Sequence, residues 1–463
     1  MSRRAGWLLG MAFALAGVAA AWVVFRPDLA LRVATGTVAH DLCSETFVSG
    51  QEPAVVYTES LRPRPGFGLV AWGIGYQVDR RIREVAASFL GVAHSRAVYR
   101  DGVGCALVYP GIADARIAGV STHAFDEETS PVEPQSAPLS AALDAAFAEP
   151  VHGPLRHTKA VVVMRDGHII AERYAPGYHI DTPVLGFSMS KSVLNALVGV
   201  LVRQGRLQAQ ARAPVAAWAS RGDPRRAITI EQLMRMQSGL ALDETGSGFD
   251  PSNRMFYTEP DMAGYAMRAR LAATPGTRWA YSSASTQLLA RIVRDHAGGD
   301  ARSVQDFAMR ELFAPLGMRH VVMEMDVTGT PVGAHYILAS ARDWARFGNL
   351  YLDDGSANGR RILPSGWVGF SARQTVGTDY AYGAGWWTNR GGGHRLGHID
   401  GAPDDAFFAF GNLGQRIAVV PSERLVVVRL ARAQSPTGDN EGFGRLVAEV
   451  IAASRASASP ARP

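Results

Sequence analysis

From about residue 150 onward the hydrophobic and polar positions fall into readable periods. Lys159-Ala-Val-Val-Val-Met164 and Ile169 to Tyr174 are two apolar runs separated by Arg165-Asp166-Gly167-His168, and an Asp-Gly step between strand-like runs predicts a β-hairpin. Between Ser188 and Gln204, the residues Val193, Leu194, Leu197, Val200 and Leu201 recur at helical spacing before Gly205, which predicts a buried helix. Thr229-Ile-Glu-Gln232 is a capping box and predicts a helix through Met236, with Gly239 as its stop. Further helical periods cover about 284–297, 303–313 and 340–352. Strands are predicted near 384–389, 405–411, 415–421 and 425–431, closed by a helix over about 440–453. Strands at both ends with helices between them predict an α+β fold, an antiparallel sheet completed by the two ends of the region and flanked by helices with a helical lobe beside it.

The pattern at the start of the chain is different. Residues 6–25, GWLLGMAFALAGVAAAWVVF, are about 20 uncharged residues, enough to cross ~30 Å of hydrocarbon as one transmembrane helix. Arg3 and Arg4 precede them and favour a cytoplasmic N-terminus, with everything beyond residue 26 exported to the periplasmic side of a bacterial inner membrane. The competing reading is a signal peptide cleaved near Ala19-Ala20-Ala21, which would release the chain. The resulting division is 1–5 cytoplasmic, 6–25 anchor or signal, 26–150 an exported N-terminal segment, 151–455 the main domain and 456–463 a flexible tail.

Composition narrows the function classes. In 463 residues the net charge is only +5 and basic residues are scattered among acidic ones, so nucleic acid is not expected as a partner. The only cysteines, Cys43 and Cys105, both lie in the 26–150 segment. A disulfide between them is expected if that segment meets an oxidising compartment, the other possibility being two buried thiols. All but Lys159 and Lys191 of the 47 basic residues are arginine. Arginine fills any ion-pair role, whereas a lysine amine can be made to give up its proton near neutrality. One of the two lysines stands three residues after a serine.

At a helix start, residues three apart share a face, so Ser188 and Lys191 can hydrogen-bond while Ser190 and Ser192 point elsewhere. The helix dipole there favours developing negative charge. A serine hydroxyl needs a proton acceptor, and a lysine serves only if burial or nearby positive charge lowers its pKa. A tyrosine can share that task. Among 13 tyrosines only Tyr281 opens a Tyr-x-[Ser/Asn] triplet, Tyr281-Ser282-Ser283, on a loop set by Pro275-Gly276 just before a predicted helix.

SMSK at 188–191 and PGTRWAYSS at 275–283 resemble the first two motifs of the penicillin-recognising serine hydrolases. The resemblance runs over about residues 155–453, including ITIEQLMRMQSGL and SARDWARFGNLYLDDG. It is nearest to the class C β-lactamase-like group and its 6-aminohexanoate-dimer hydrolase-like branch, and it implies a β-lactamase/transpeptidase-like fold. It further implies that Ser188 forms the acyl-enzyme, that Lys191 and Tyr281 manage its proton, and that Ser283 bonds Lys191 or the substrate. The third family motif aligns with Ala409-Phe410-Gly411, followed by Asn412, Gly414 and Gln415. In that alignment the Asn412 amide joins the Ser188 amide as an oxyanion hole, Gly411 lets backbone approach substrate, and Gly414 and Gln415 border the substrate. Ala409 stands where relatives carry a cation, so a substrate carboxylate loses its anchor and a linear amide or ester is the expected small-molecule substrate.

Other chemistries find little purchase. Gly186-Phe-Ser-Met-Ser190 lacks the second glycine of a nucleophile elbow. His394 and His398 with Asp400 have no clear third ligand, so no metal and no cofactor is expected. Tyr257 and Trp279 are read as packing residues. The expectation is therefore an anchored serine amidase or esterase; the alternative is a catalytically idle, penicillin-binding-like receptor or cell-envelope binding protein that kept the fold.

Overall fold

The computed structural model describes residues 26–112, 130–245, 248, 250–390 and 397–458. Its centre is a six-stranded, wholly antiparallel sheet in the order Trp387–Thr388, Phe407–Phe410, Arg416–Val420, Leu425–Ala431, Thr158–Arg165, His168–Tyr174. The expected hairpin is its last pair, turning at Asp166-Gly167 with both residues at positive φ. Sequence-distant strands meet where Leu425–Ala431 pairs with Thr158–Arg165, so the two ends of the domain close one sheet.

The apolar runs in these strands are continuous rather than alternating because both faces of the sheet are covered. Val162 and Met164 face the main core with Val426 and Val428; Val161 and Val163 face the second core with Leu425 and Val427. The second face is covered by the helices Ala137–Phe147 and Asn440–Ala458, the latter running past the expected 453. The first face carries the helical lobe, built around Ser190–Arg203, Ser283–Ala297 and Ala341–Leu352. The capping box at Thr229 is present, its hydroxyl accepting from the Gln232 amide and the Gln232 side chain accepting from the Thr229 amide. The helix it opens, Ile230–Met234, is shorter than expected. The strand expected over 384–389 is confined to Trp387–Thr388.

Residues 26–112 form a module of their own that the periodicity did not reveal. The helix Pro27–Phe47 packs on a four-stranded antiparallel sheet, Ile74–Asp79, Glu84–Phe89, Ala93–Arg100 and Gly104–Leu107. From Val33 to Thr46 every residue of the helix is buried, so its polar residues are paired inside rather than gathered on one face, and no amphipathic stripe marks it. Cys43 and Cys105 form a disulfide, joining the helix to the last strand with Cα atoms 6.0 Å apart. The module is bolted to the main domain through Glu324, whose fully buried carboxylate accepts from Ser44 Oγ at 2.9 Å, the Cys105 amide at 2.7 Å and His40 Nε2 at 3.0 Å. Arg432 and Lys159 of the main domain meet Glu45 and Glu59 of the module at 2.8 Å each. The anchor expectation falls on residues 6–25, outside the described residues. Among the described residues no helix is long and apolar enough to cross a membrane.

Candidate active site

The central helix Ser190–Arg203 is preceded by one 3₁₀ turn, Phe187–Met189. Phe187 holds φ at 47°, an uncommon and costly conformation for an aromatic residue, immediately before Ser188. Two close approaches impose that turn. A Cβ on Gly186 would stand 2.5 Å from Trp344 Cζ2, and the Gly186 amide donates to the Ile337 carbonyl at 2.9 Å. The neighbouring serines are occupied elsewhere: Ser190 Oγ accepts from the Ile337 amide at 3.1 Å, and Ser192 Oγ donates to the Gly385 carbonyl at 2.7 Å. Ser188 alone is left partly open to the cleft.

One turn on, Lys191 is 3% exposed and its three protons have three acceptors: Ser188 Oγ at 3.0 Å, Ser283 Oγ at 2.9 Å and the Ala334 carbonyl at 3.1 Å. Burial pushes the Lys191 amine down to about 8, against the opposing pull of the Glu244 charge. Tyr281, two residues before the helix Ser283–Ala297, places its ring 4.8 Å from Lys191 Nζ. Burial holds the Tyr281 phenol well above its ordinary value, reinforced by Tyr382 and Glu244, so it keeps its proton at neutral pH. The ring stands in an aromatic wall with Trp279, Tyr382 and Trp387, centroids 6.3, 5.9 and 6.0 Å away. Trp279 itself stacks on Tyr380 at 4.2 Å, and Tyr257 both lines the cleft and hydrogen-bonds Tyr336, so each is a packing residue.

The third strand arrives as expected at one end and not at the other. A Cβ on Gly411 would lie 2.2 Å from the Gly186 carbonyl oxygen, so only glycine lets this strand end approach the turn that carries Ser188. Asn412 lines the same cleft as Ser188. Gly414 and Gln415 do not, which corrects the expectation that they border the substrate. Gln415 is 2% exposed and its amide bridges the Ala431 carbonyl and amide, while Gly414 is packed against Gly438 and Arg429. Both stand in the turn between Phe407–Phe410 and Arg416–Val420, where the Gln415 side chain is tied to Leu425–Ala431 and not turned to the cleft. His394 lies outside the described residues, and His398 Nε2 is 3.7 Å from Asp400.

Three cleft residues escaped sequence reasoning. Glu244 accepts from the Ser283 amide and from Ser252 Oγ, fixing the loop before the second helix, and lines the cleft near Lys191. His335 follows the Ala334 that holds Lys191; burial, with Arg64 and Lys191 nearby, drives its pKa well below the ordinary value, so the ring is neutral. Arg64 comes from the N-terminal module, lies 5.5 Å over the Phe187 ring and is paired with Asp41. None belongs to a local motif; each is brought in by tertiary contact.

With this geometry in hand the comparisons are specific. The Beta-lactamase family model matches residues 143–452. A 6-aminohexanoate-dimer hydrolase from Paenarthrobacter ureafaciens is 27% identical over 310 residues, 60% of this chain and 74% of that protein. Among solved structures, EstA from Arthrobacter nitroguajacolicus Rue61a superposes with a TM-score of 0.55 at 14% identity, covering 72% of this chain and all of that one (100%). A penicillin-binding protein homolog from Caulobacter crescentus superposes at 0.51 with 18% identity, covering 70% and 100%. The two structural likenesses speak to the fold.

Proposed function

Because the chain belongs to the beta-lactamase family, we propose that it is a serine hydrolase cleaving a linear amide or ester through an acyl-enzyme on Ser188. The observation that carries this reading is the buried Lys191 amine, held between Ser188 and Ser283 beside the Tyr281 ring. The hydrolase names of the relatives point the same way.

In the first half-reaction neutral Lys191 accepts the Ser188 hydroxyl proton as Oγ attacks the carbonyl carbon. The oxyanion that forms lies against the Ser188 and Asn412 amides, donors whose individual loss costs ~10² to 10³ in rate in related chemistry. Collapse expels the alcohol or amine, which takes a proton from the Lys191–Tyr281 pair, and the phenol serves as relay because it stays protonated. Water then attacks the ester at Ser188, giving its proton to the same pair and releasing the acid. Ser283 and the Ala334 carbonyl keep the amine in place throughout. Ala409 supplies no charge where the cation of the third motif would stand, which favours a substrate without a carboxylate there.

The apolar run 6–25 anchors the enzyme with its catalytic domain in the periplasm, a reading supported by its length and by a disulfide suited to an oxidising compartment. The test of the catalytic proposal is labelling of the full-length chain by a fluorophosphonate, with turnover of nitrophenyl esters measured alongside. Label on Ser188, with turnover lost by several orders of magnitude in both Ser188→Ala and Lys191→Ala, is expected, because members of a coupled unit fail together. Undiminished turnover in Lys191→Ala, or no label on Ser188, refutes it.

A further inference from the structure

The family match begins at residue 143, yet one side of the cleft beside Ser188 is built by residues far before it. The cleft measures about 490 Å³. Val33 and Ala34 of the helix Pro27–Phe47 and Phe67 and Val70 of the following turns line it, with Phe256 of the helix Pro251–Thr258 among the residues of the main domain. The wall is fixed, not loosely appended. A Cβ on Gly36 would come within 2.9 Å of both Tyr257 Cβ and its carbonyl oxygen, so the N-terminal helix lies flush on Pro251–Thr258. The one charged group on this wall, Arg64, is committed to Asp41 at 2.5 Å and to the Ser60 carbonyl at 2.9 Å. In the same turns as Phe67 and Val70, the apolar side chains of Leu69 and Trp72 stand 75% and 72% exposed.

We infer that the N-terminal module is a substrate-binding wall and that its subsite takes an extended apolar chain, making the substrate an amphiphilic amide or ester. The chain runs from the carbonyl at Ser188 along Val33, Ala34, Phe67 and Val70 toward Leu69 and Trp72. This rests on the hydrolase reading and adds to it the class of substrate and a specificity role for residues outside the family domain. A buried methylene removed from water gains affinity at the reacting complex wherever the wall encloses it.

The experiment uses the full-length chain and two ester series. One lengthens the acyl group of p-nitrophenyl esters from acetate to decanoate; the other lengthens the alcohol of acetate esters. In at least one series kcat/KM is expected to climb up to roughly fourfold per methylene, the equivalent of ~0.8 kcal/mol for a fully buried CH₂. In Val70→Asp the ratio of long-chain to short-chain kcat/KM in that series falls at least tenfold. Flat dependence in both series overturns the inference, and so does an unchanged ratio in Val70→Asp. The wild-type slope stands as a test even if that variant fails to fold. Absence of turnover with every ester and of any adduct on Ser188 would instead refute the hydrolase reading, so the two failures are distinct.

Discussion

At the residue scale the proposed mechanism depends on a proton acceptor made from the least common basic residue in the chain. Lys191 pushed down to about 8 is mostly charged at pH 7, and only the neutral amine accepts the Ser188 proton. The acid limb of kcat/KM is therefore expected to fall tenfold per pH unit below about 8 and to level off above it. Glu244 opposes the shift, since its negative charge favours the ammonium. Glu244→Gln keeps an acceptor for the Ser283 amide and removes the charge, so the acid limb should move to lower pH; a limb moving to higher pH would contradict the assignment. Ser188 and Lys191 were legible as a pair because helical geometry fixes which neighbour shares a face, whereas Tyr281 and Ser283 were legible through the Tyr-x-Ser triplet and the family resemblance it carries. Glu244, His335 and Arg64 were not, because they reach the cleft only through contacts between distant segments. Gln415 lies away from the cleft for a related reason: an aligned position says where the backbone passes and leaves open where the side chain points, here to Ala431, while Gly414 is packed against Gly438 and Arg429.

At the scale of elements, the strands and helices that bury a regular face were readable and the N-terminal module was not. Thr158–Arg165 and Leu425–Ala431 announced themselves through unbroken apolar runs, since each is covered on both faces. Pro27–Phe47 is equally buried but holds His40, Asp41, Ser44 and Glu45 inside through ion pairs and hydrogen bonds that only tertiary structure supplies. The meeting of two elements also defines a sharp test. Gly411 at the end of Phe407–Phe410 abuts the Gly186 carbonyl on the turn that carries Ser188. Gly411→Ala should displace that turn, lowering kcat by at least tenfold on any substrate, with a stability loss of about 1 to 3 kcal/mol from overpacking, read by denaturant unfolding. Wild-type kcat in this variant would show that the contact does not hold Ser188 in place.

For the whole molecule, the N-terminal module and the catalytic domain stand or fall together. The Cys43–Cys105 bridge closes a loop with a sequence separation of 62 and sits directly against the Ser44–Glu324–Cys105 network that ties the two parts. Cys43→Ser is expected to lower stability by about 2 to 4 kcal/mol. Because the same module walls the cleft, long-chain ester turnover should decline together with the unfolding midpoint. An unchanged midpoint would remove the bridge from this role.

The chain's scarcity of lysine makes the central claim open to direct observation. In full-length protein labelled with ¹⁵N-lysine, only Lys159 and Lys191 contribute side-chain amine signals, and Lys159 is held in an ion pair with Glu59 at 2.8 Å. Titration by NMR is expected to show one amine with a midpoint near 8, its signal absent in Lys191→Ala. Two amines that both titrate at or above the ordinary lysine value of about 10.4 would mean that Lys191 remains charged at working pH and does not take the proton from Ser188.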